Sequence, residues 1–262
     1  MMLLFNAYFI SLTLSFIGAS PNPEDTKQVN VQIVKGEKSS GFPWAASLQY
    51  KDGGHFCGGA LISKTAILTA AHCLEGMNAS TINVQIGAQT LDGVSKESRI
   101  QGKSISLAPN FSNVKKGDIV ISVKDDIAIL VLEKESQNQV LQVDLDNMPK
   151  NIGSKATASG YGYLSGETNN PSPRPLNQVE LEISNDEFCR TQSSIFDSNQ
   201  NLCLKGPSNN LQAQTCYGDS GSSLLYQGKS IGVVSAGLGG CVGGSSFYTK
   251  TYPYADFIKQ YL

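Results

Sequence analysis

The sequence predicts an all-β protein, and three observations carry that expectation. Short alternating or continuous apolar runs recur, clusters of Gly, Asn, Ser and Pro separate them, and only one stretch has helical periodicity. The runs Ala45–Tyr50, Ile82–Ile86, Ile127–Leu132 and Ser230–Ser235 have strand length, spaced as in a barrel or a sandwich. The polar stretch Glu133–Gln139 separates two strand-rich halves of similar length. A helix is expected at the end of the sequence, where Tyr254, Phe257, Ile258, Tyr261 and Leu262 form one apolar stripe. Segment Ser165–Pro175, rich in Asn, Gly and Pro, reads as an exposed loop.

Composition narrows the class. With 262 residues, 40% apolar and 16% charged, the chain can bury the core of one large β domain or two small ones. Collagen, coiled coil, low-complexity and disordered chains are excluded. Twenty basic against twenty-two acidic residues give a formal charge of −2, so neither nucleic acid nor an anionic membrane is expected as a partner. Two histidines argue against a His-rich metal site.

Met1 to Ala19 carries no charged side chain and is largely apolar, then breaks into Gly18-Ala19-Ser20 and Pro21-Asn22-Pro23. This reads as a secretory signal over residues 1–19 with cleavage after Ala19, too short for the ~20 apolar residues of a membrane span. The mature protein is expected outside the cell, free of the membrane, where the six cysteines can persist as disulfides.

Chemistry concentrates in three places: Leu68-Thr69-Ala70-Ala71-His72-Cys73, Lys124-Asp125-Asp126-Ile127-Ala128, and Cys216-Tyr217-Gly218-Asp219-Ser220-Gly221. Singly, these are a core histidine, a solvated strand start and a tight turn. Together they meet the needs of acyl transfer by serine. The hydroxyl needs a base, imidazole suits that task near neutral pH, and a carboxylate must hold the ring in one tautomer. Glycines beside the serine let backbone N–H groups converge where the oxyanion develops.

At these residues the sequence resembles the chymotrypsin-like (trypsin-fold) serine proteases, from Ile33 to Leu262. Further matches are Phe56-Cys57-Gly58-Gly59-Ala60-Leu61-Ile62, Gly160-Tyr161-Gly162, Ser235-Ala236-Gly237 and Phe247-Tyr248-Thr249-Lys250. The resemblance implies two six-stranded antiparallel β-barrels, about 33–140 and about 141–262, with the site between them and a short C-terminal helix. It makes Ser220 the nucleophile, His72 the base and then acid, and Asp126 the orienting carboxylate, with Asp125 as competitor for that role. The oxyanion hole would be the N–H groups of Gly218 and Ser220. Ser235 would support Asp126, and Ser235-Ala236-Gly237 would pair with substrate backbone. The implied disulfides are Cys57–Cys73, Cys189–Cys203 and Cys216–Cys241.

The resemblance also implies latency. Ile33-Val34-Lys35-Gly36 resembles a mature N-terminus whose α-ammonium pairs with Asp219, making 20–32 a propeptide and 33–262 the peptidase domain. Gln32 precedes the cut where Arg or Lys is usual, so the activating protease is of another kind. The pocket floor, six residues before Ser220, is Gln214, with Gly237 and Ser246 on the walls. This removes the electrostatic basis for Arg or Lys at P1 and favours large apolar or aromatic groups. Gln214 could instead hydrogen-bond a polar side chain. Ser222-Ser223 stand where Gly-Pro is usual, and Ala236 stands where Trp is usual. The loop Ala88–Glu97 lacks the first acidic ligand of the family's calcium site, so no metal and no cofactor are expected. The implied protein is a secreted, monomeric serine endopeptidase acting on proteins or peptides, open to protein inhibitors. The rival readings are a catalytically inactive homologue acting as a binding or cascade protein, and a secreted esterase.

Overall fold

In Asn177–Ile183 the side chains of Val179, Leu181 and Ile183 are buried, while Gln178, Glu180 and Glu182 between them are half-buried or exposed. That period of two marks a strand with one face on a core. The computed structural model describes residues 36–39, 41–93, 95, 98–117, 119–146, 151–163, 174–238, 240–241 and 243–262. The signal segment, the propeptide, Ile33 and most of Ser165–Pro175 lie outside the described residues, as does part of Ala88–Glu97.

Six strands close the first barrel: β2 (Ala45–Tyr50), β3 (His55–Ser63), β4 (Ala66–Thr69), β5 (Ile82–Ile86), β6 (Ile100–Leu107) and β9 (Ala128–Leu132), in the order β2-β3-β4-β9-β6-β5. A hairpin, β7 (Ser112–Lys116) and β8 (Ile119–Lys124), stands apart from it. The second sheet contains β10 (Lys155–Gly160), β11 (Asn177–Ile183), β12 (Asn201–Lys205), β13 (Ser223–Tyr226), β14 (Lys229–Gly237) and β15 (Ser245–Lys250). Pairing of Glu182 and Ile183 in β11 with Lys205 and Leu204 in β12 closes it into a second six-stranded barrel. A two-residue strand, β1 (Glu37–Lys38), adds to the outside of β11. Closure removes the open edges at which sheets aggregate.

Each barrel has its own core, built around Leu48, Leu61, Ile67, Ile82, Val84 and Leu130 in the first and Val179, Leu181, Leu202, Leu224, Ile231 and Tyr248 in the second. A third cluster joins them: Leu68, Ile127 and Ile129 meet Val233 of the second barrel and Tyr254 and Ile258 of the C-terminal segment. Burying a Leu or Ile side chain contributes roughly 1.5–3 kcal/mol, so this seam helps to fix one barrel on the other.

The C-terminal helix covers Ala255–Lys259, preceded by a 3-10 turn over Tyr252–Tyr254. It is shorter than its apolar stripe: Ile258 is buried, but Leu262, beyond the helix, is 58% exposed. A second helix, Asp186–Gln192, was not expected from periodicity. Asn185 caps it by accepting from the N–H of Phe188, Asp186 and Glu187 occupy its first turn, and buried Cys189 ties it to β12 through Cys203.

Candidate active site

His72 sits in the 3-10 turn Ala71–Cys73 directly after β4, and Asp126 lies between β8 and β9. β4 and β9 pair in the barrel, which brings their ends together. The N–H of His72 donates to Asp126 Oδ1 at 2.8 Å and its Nδ1–H donates to Oδ2 at 2.8 Å. Ser235 on β14 donates its hydroxyl to the same Oδ2 at 2.6 Å, so the second barrel also grips the carboxylate. Asp126 is 2% exposed. Burial alone would raise its pKa, but the charge and hydrogen bonds of His72, with the Ser235 hydroxyl, hold it below the ordinary carboxylate range. Burial would likewise lower His72, and the Asp126 carboxylate outweighs it to hold the imidazole above its ordinary value. With Nδ1 donating, the neutral ring keeps Nε2 as its acceptor.

Ser220 lies in the irregular segment between Gln214 and β13. Its carbonyl accepts from the N–H of Gly58 on β3 at 2.8 Å, docking this segment on the first barrel. The contact depends on missing side chains. A Cβ on Gly58 would fall 1.9 Å from Ser222 Oγ, and one on Gly221 (φ +81°) would fall 2.1 Å from Thr69 Oγ1. Cys73 Sγ is 3.7 Å from His72 Nε2 and 3.7 Å from the Ser220 carbonyl, so the disulfide Cys57–Cys73 packs between the two residues. The Ser220 hydroxyl forms no hydrogen bond with His72 here. Such bonds are often long in unliganded sites and tighten when substrate binds.

Among the described residues, the N–H groups of Gly218 and Ser220 donate to no protein acceptor, whereas those of Asp219, Gly221 and Ser222 are all engaged. Gly218 has φ +92°, and its carbonyl accepts from His55 Nε2 at 2.9 Å. Because a carbonyl only accepts, the His55 proton is on Nε2, and Nδ1 accepts from Ser47 at 2.8 Å. Burial pushes the His55 pKa down to about 4, so the ring is a neutral strut for the Gly218 peptide. The contact joins residues 163 apart, so no local sequence pattern reveals it.

Asp219 is fully buried between Gly160 and Gly162. Its carboxylate accepts from the N–H of Gly162 at 2.8 Å and of Cys216 at 2.9 Å. A Cβ on Gly160 would lie 2.1 Å from Oδ1, which explains why Tyr161 is flanked by glycines. Burial pushes the Asp219 pKa up to about 6, against the pull of those two amides. Among the described residues no basic group pairs with it.

Beside Ser220 opens a cleft of about 150 Å³ lined by Gln214, Thr215, Tyr217, Gly237, Gly240 and the Cys216–Cys241 disulfide. Gln214 is buried, donating Nε2–H to the Leu238 carbonyl at 2.6 Å and accepting from the Gly244 N–H at 2.9 Å. Ser246, expected on a wall, is not in the lining. It is 1% exposed, paired with Gly237 across the sheet, and its hydroxyl accepts from Thr215 at 3.3 Å. Ser222 and Ser223 fit without unusual backbone. The Ser222 hydroxyl fills the space left by Gly58, and Ser223 accepts from the Ser230 hydroxyl at 3.1 Å.

The three disulfides are Cys57–Cys73, Cys189–Cys203 and Cys216–Cys241, bridging separations of 16, 14 and 25 residues. Loops of that length lose about 3 kcal/mol of unfolded-chain entropy on closure.

A buried carboxylate gripping an imidazole, beside a glycine-flanked serine with free amides, is an arrangement for acyl transfer. Known proteins agree with it. The family model described as Trypsin matches residues 33–258. Chymotrypsin-2 of Vespa crabro is 29% identical over 223 residues, covering 84% of this chain and 94% of that protein. Neutrophil elastase of Mus musculus is 31% identical over 231 residues, covering 86% and 80% respectively. The solved structure of neuropsin, a serine protease expressed in the limbic system of mouse brain, matches with a TM-score of 0.71 at 27% identity, covering 86% of this chain and 98% of that one. The chain belongs to the trypsin family and is a chymotrypsin-like serine protease.

Proposed function

We propose that this protease is secreted, is made as a zymogen, and cleaves proteins through an acyl-enzyme on Ser220, preferring large apolar or aromatic side chains at P1. The carrying observation is the engaged Asp126–His72 pair facing two undonated amides at Gly218 and Ser220. In this reading Ser220 Oγ attacks the scissile carbonyl carbon while His72 Nε2 takes the hydroxyl proton, the mechanism of the family. The displaced electron pair goes to the carbonyl oxygen, which the N–H groups of Gly218 and Ser220 receive. One such donor is worth about 3–4 kcal/mol of transition-state stabilisation. Collapse expels the amine, which takes the proton from His72, and water repeats the sequence to release Ser220. Asp126 stays ionised throughout, as its lowered pKa favours. Ser235-Ala236-Gly237 would pair with the substrate backbone as an added strand.

The P1 preference is supported by the state of Gln214. Its carboxamide oxygen and nitrogen are already bonded to Gly244 and Leu238, and among the described residues the cleft lining contains no carboxylate. A basic P1 side chain would therefore bury its charge against a neutral floor, which is unfavourable. A peptide library should show aromatic or long apolar residues before the cut; dominance of Arg or Lys would overturn this.

Latency is supported by Asp219. An ionised carboxylate in a site that pushes its pKa up to about 6 is stabilised by a cation, and the ammonium freed by cleavage before Ile33 would supply one. The activator must accept Gln32. An organophosphonate should label Ser220 only after cleavage at that bond. Absence of an adduct in the cleaved chain would favour a binding protein, and activity on esters without activity on matched peptides would favour an esterase. Recovery of mature chain from culture medium beginning at Ser20 or Ile33 tests secretion.

A further inference from the structure

The aspartate that precedes Asp126 has partners outside the chemistry above. Asp125 has φ +50°, in the left-handed region that L side chains rarely adopt and Asp tolerates better than most. Three hydrogen bonds hold it there. Its N–H donates to Gln200 Oε1 at 2.8 Å, and its Oδ1 accepts from the Tyr254 hydroxyl at 2.7 Å. Its carbonyl accepts from the N–H of Ile127 at 2.8 Å, closing a three-residue turn with Asp126 at the centre.

Gln200 immediately precedes β12 of the second barrel, and Tyr254 leads into the C-terminal helix, so both reach Asp125 from outside its own barrel. Each is itself fixed. The Gln200 carbonyl accepts from the Lys250 N–H at 2.8 Å, and the Tyr254 ring packs with Ile127, Ile129 and Ile258. Burial, then the bond to Asp125, holds the Tyr254 hydroxyl well above the ordinary phenol range, so it stays a donor.

We propose that Asp125 is a positioning residue: bracketed by Tyr254 and Gln200, it sets the turn from which the Asp126 carboxylate reaches the backbone N–H and the Nδ1–H of His72. The physical reason is leverage. Relaxing Asp125 to right-handed backbone would rotate the peptide that carries Asp126, whose two oxygens are already committed to His72 and Ser235. Small misplacements of a catalytic group have large kinetic effects. Asp125 is thus not a spare triad acid, since its carboxylate is turned toward Tyr254.

The kinetic part of the test rests on the proposed function, and a spectroscopic part does not. Three variants separate geometry from packing: Tyr254→Phe removes only the hydroxyl, Asp125→Ala removes the acceptor and disfavours the left-handed turn, and Asp125→Asn keeps an acceptor. With histidine labelled by ¹⁵N, the two histidines can be told apart in proton NMR of the full chain. The low-field Nδ1–H of His72, hydrogen-bonded to Asp126, should shift in Tyr254→Phe and Asp125→Ala and stay in place in Asp125→Asn. The His55 ring signal should stay in place throughout. In the activated enzyme the first two variants should lose roughly tenfold or more in kcat with KM unchanged, while Asp125→Asn stays within about twofold. Combining Tyr254→Phe with Asp125→Ala should add nothing to the worse single variant. The proposal is overturned if the His72 signal is unmoved in both Tyr254→Phe and Asp125→Ala, or if Asp125→Asn behaves like Asp125→Ala. A wild-type chain that neither turns over nor labels would refute the enzyme reading, and the His72 signal would still judge the bracket.

Discussion

The site's two buried carboxylates, Asp126 and Asp219, each lie near a half-buried histidine but are held by opposite means. On the first-barrel wall Asp126 and His72 face each other, and each moves the other's pKa toward the charged form. Around Ser220, Asp219 and the His55 that reaches Gly218 from β3 hydrogen-bond only to neutral groups, and burial moves both toward the uncharged form, to about 6 and about 4. The first wall is built from strand ends and a matched charge pair. The second is an irregular segment held by backbone amides, glycine contacts and a disulfide. A wall whose charges are matched is complete in itself. A wall with an unmatched buried acid is poised for a cation to arrive.

The largest expected effect breaks the matched wall. Asp126→Asn should lower kcat by roughly 10⁴, the size this change has in relatives, because the wrong tautomer of His72 is then favoured. A loss below about tenfold in single-turnover assays would mean that the pair is not the base.

Next comes the packing of the unmatched wall. Gly160→Ala puts a methyl 2.1 Å from an Asp219 oxygen that two amides hold in place. It should cost about 3 kcal/mol or more in urea unfolding. A midpoint equal to wild type would show that the carboxylate can move aside.

The third prediction sharpens the comparison through pH. With its pKa raised from 3.8 to about 6, Asp219 contributes stability that is complete below 3.8 and lost as pH rises through about 6. His55, lowered from 6.5 to about 4, contributes stability that is complete above 6.5 and lost as pH falls through about 4. Each amounts to about 3 kcal/mol with opposite sign over nearly the same window, so in the uncleaved chain they should largely cancel. His55→Gln should then unmask a stability that declines from about pH 4 to 6, and Asp219→Asn one that climbs. Parallel curves for both variants would contradict the assignment.

The smallest effect is on the rate profile of the activated enzyme. Because Asp126 holds His72 above 6.5, the rising limb of kcat/KM should have its midpoint above that value, falling about tenfold per pH unit on the acid side. A midpoint at or below 6.5 would count against the matched pair.

The same contrast explains what could be read in the sequence. The motifs around His72, Asp126 and Ser220 were legible because side chains define them, and the alternating runs marked most of the barrel strands. Sequence reading identified Gln214 but not its partners, since the Leu238 carbonyl and Gly244 N–H belong to backbone that any residue would carry. Ser246 stands opposite Gly237 as expected of a neighbour, but its bond to Thr215 is a contact that only the closed fold creates. The helix Asp186–Gln192 was too short for periodicity to reveal, although its Asn185 cap was in plain view. The tie from Asp125 to Tyr254 spans 129 residues and needs the closed fold before it exists.

The hydroxyl of Ser222 nested against Gly58 has a consequence for how this sequence can change. An alanine at 58 collides with that oxygen at 1.9 Å, so the two positions are not free to drift separately. The order of events matters: once the hydroxyl is lost, an alanine at 58 meets only Ser222 Cβ at 3.1 Å and N at 3.3 Å, whereas the reverse order passes through a chain in which the Ser222 hydroxyl must first be displaced. Mutational history at this seam is therefore directional, and a library that varies one position at a time would miss the accessible route.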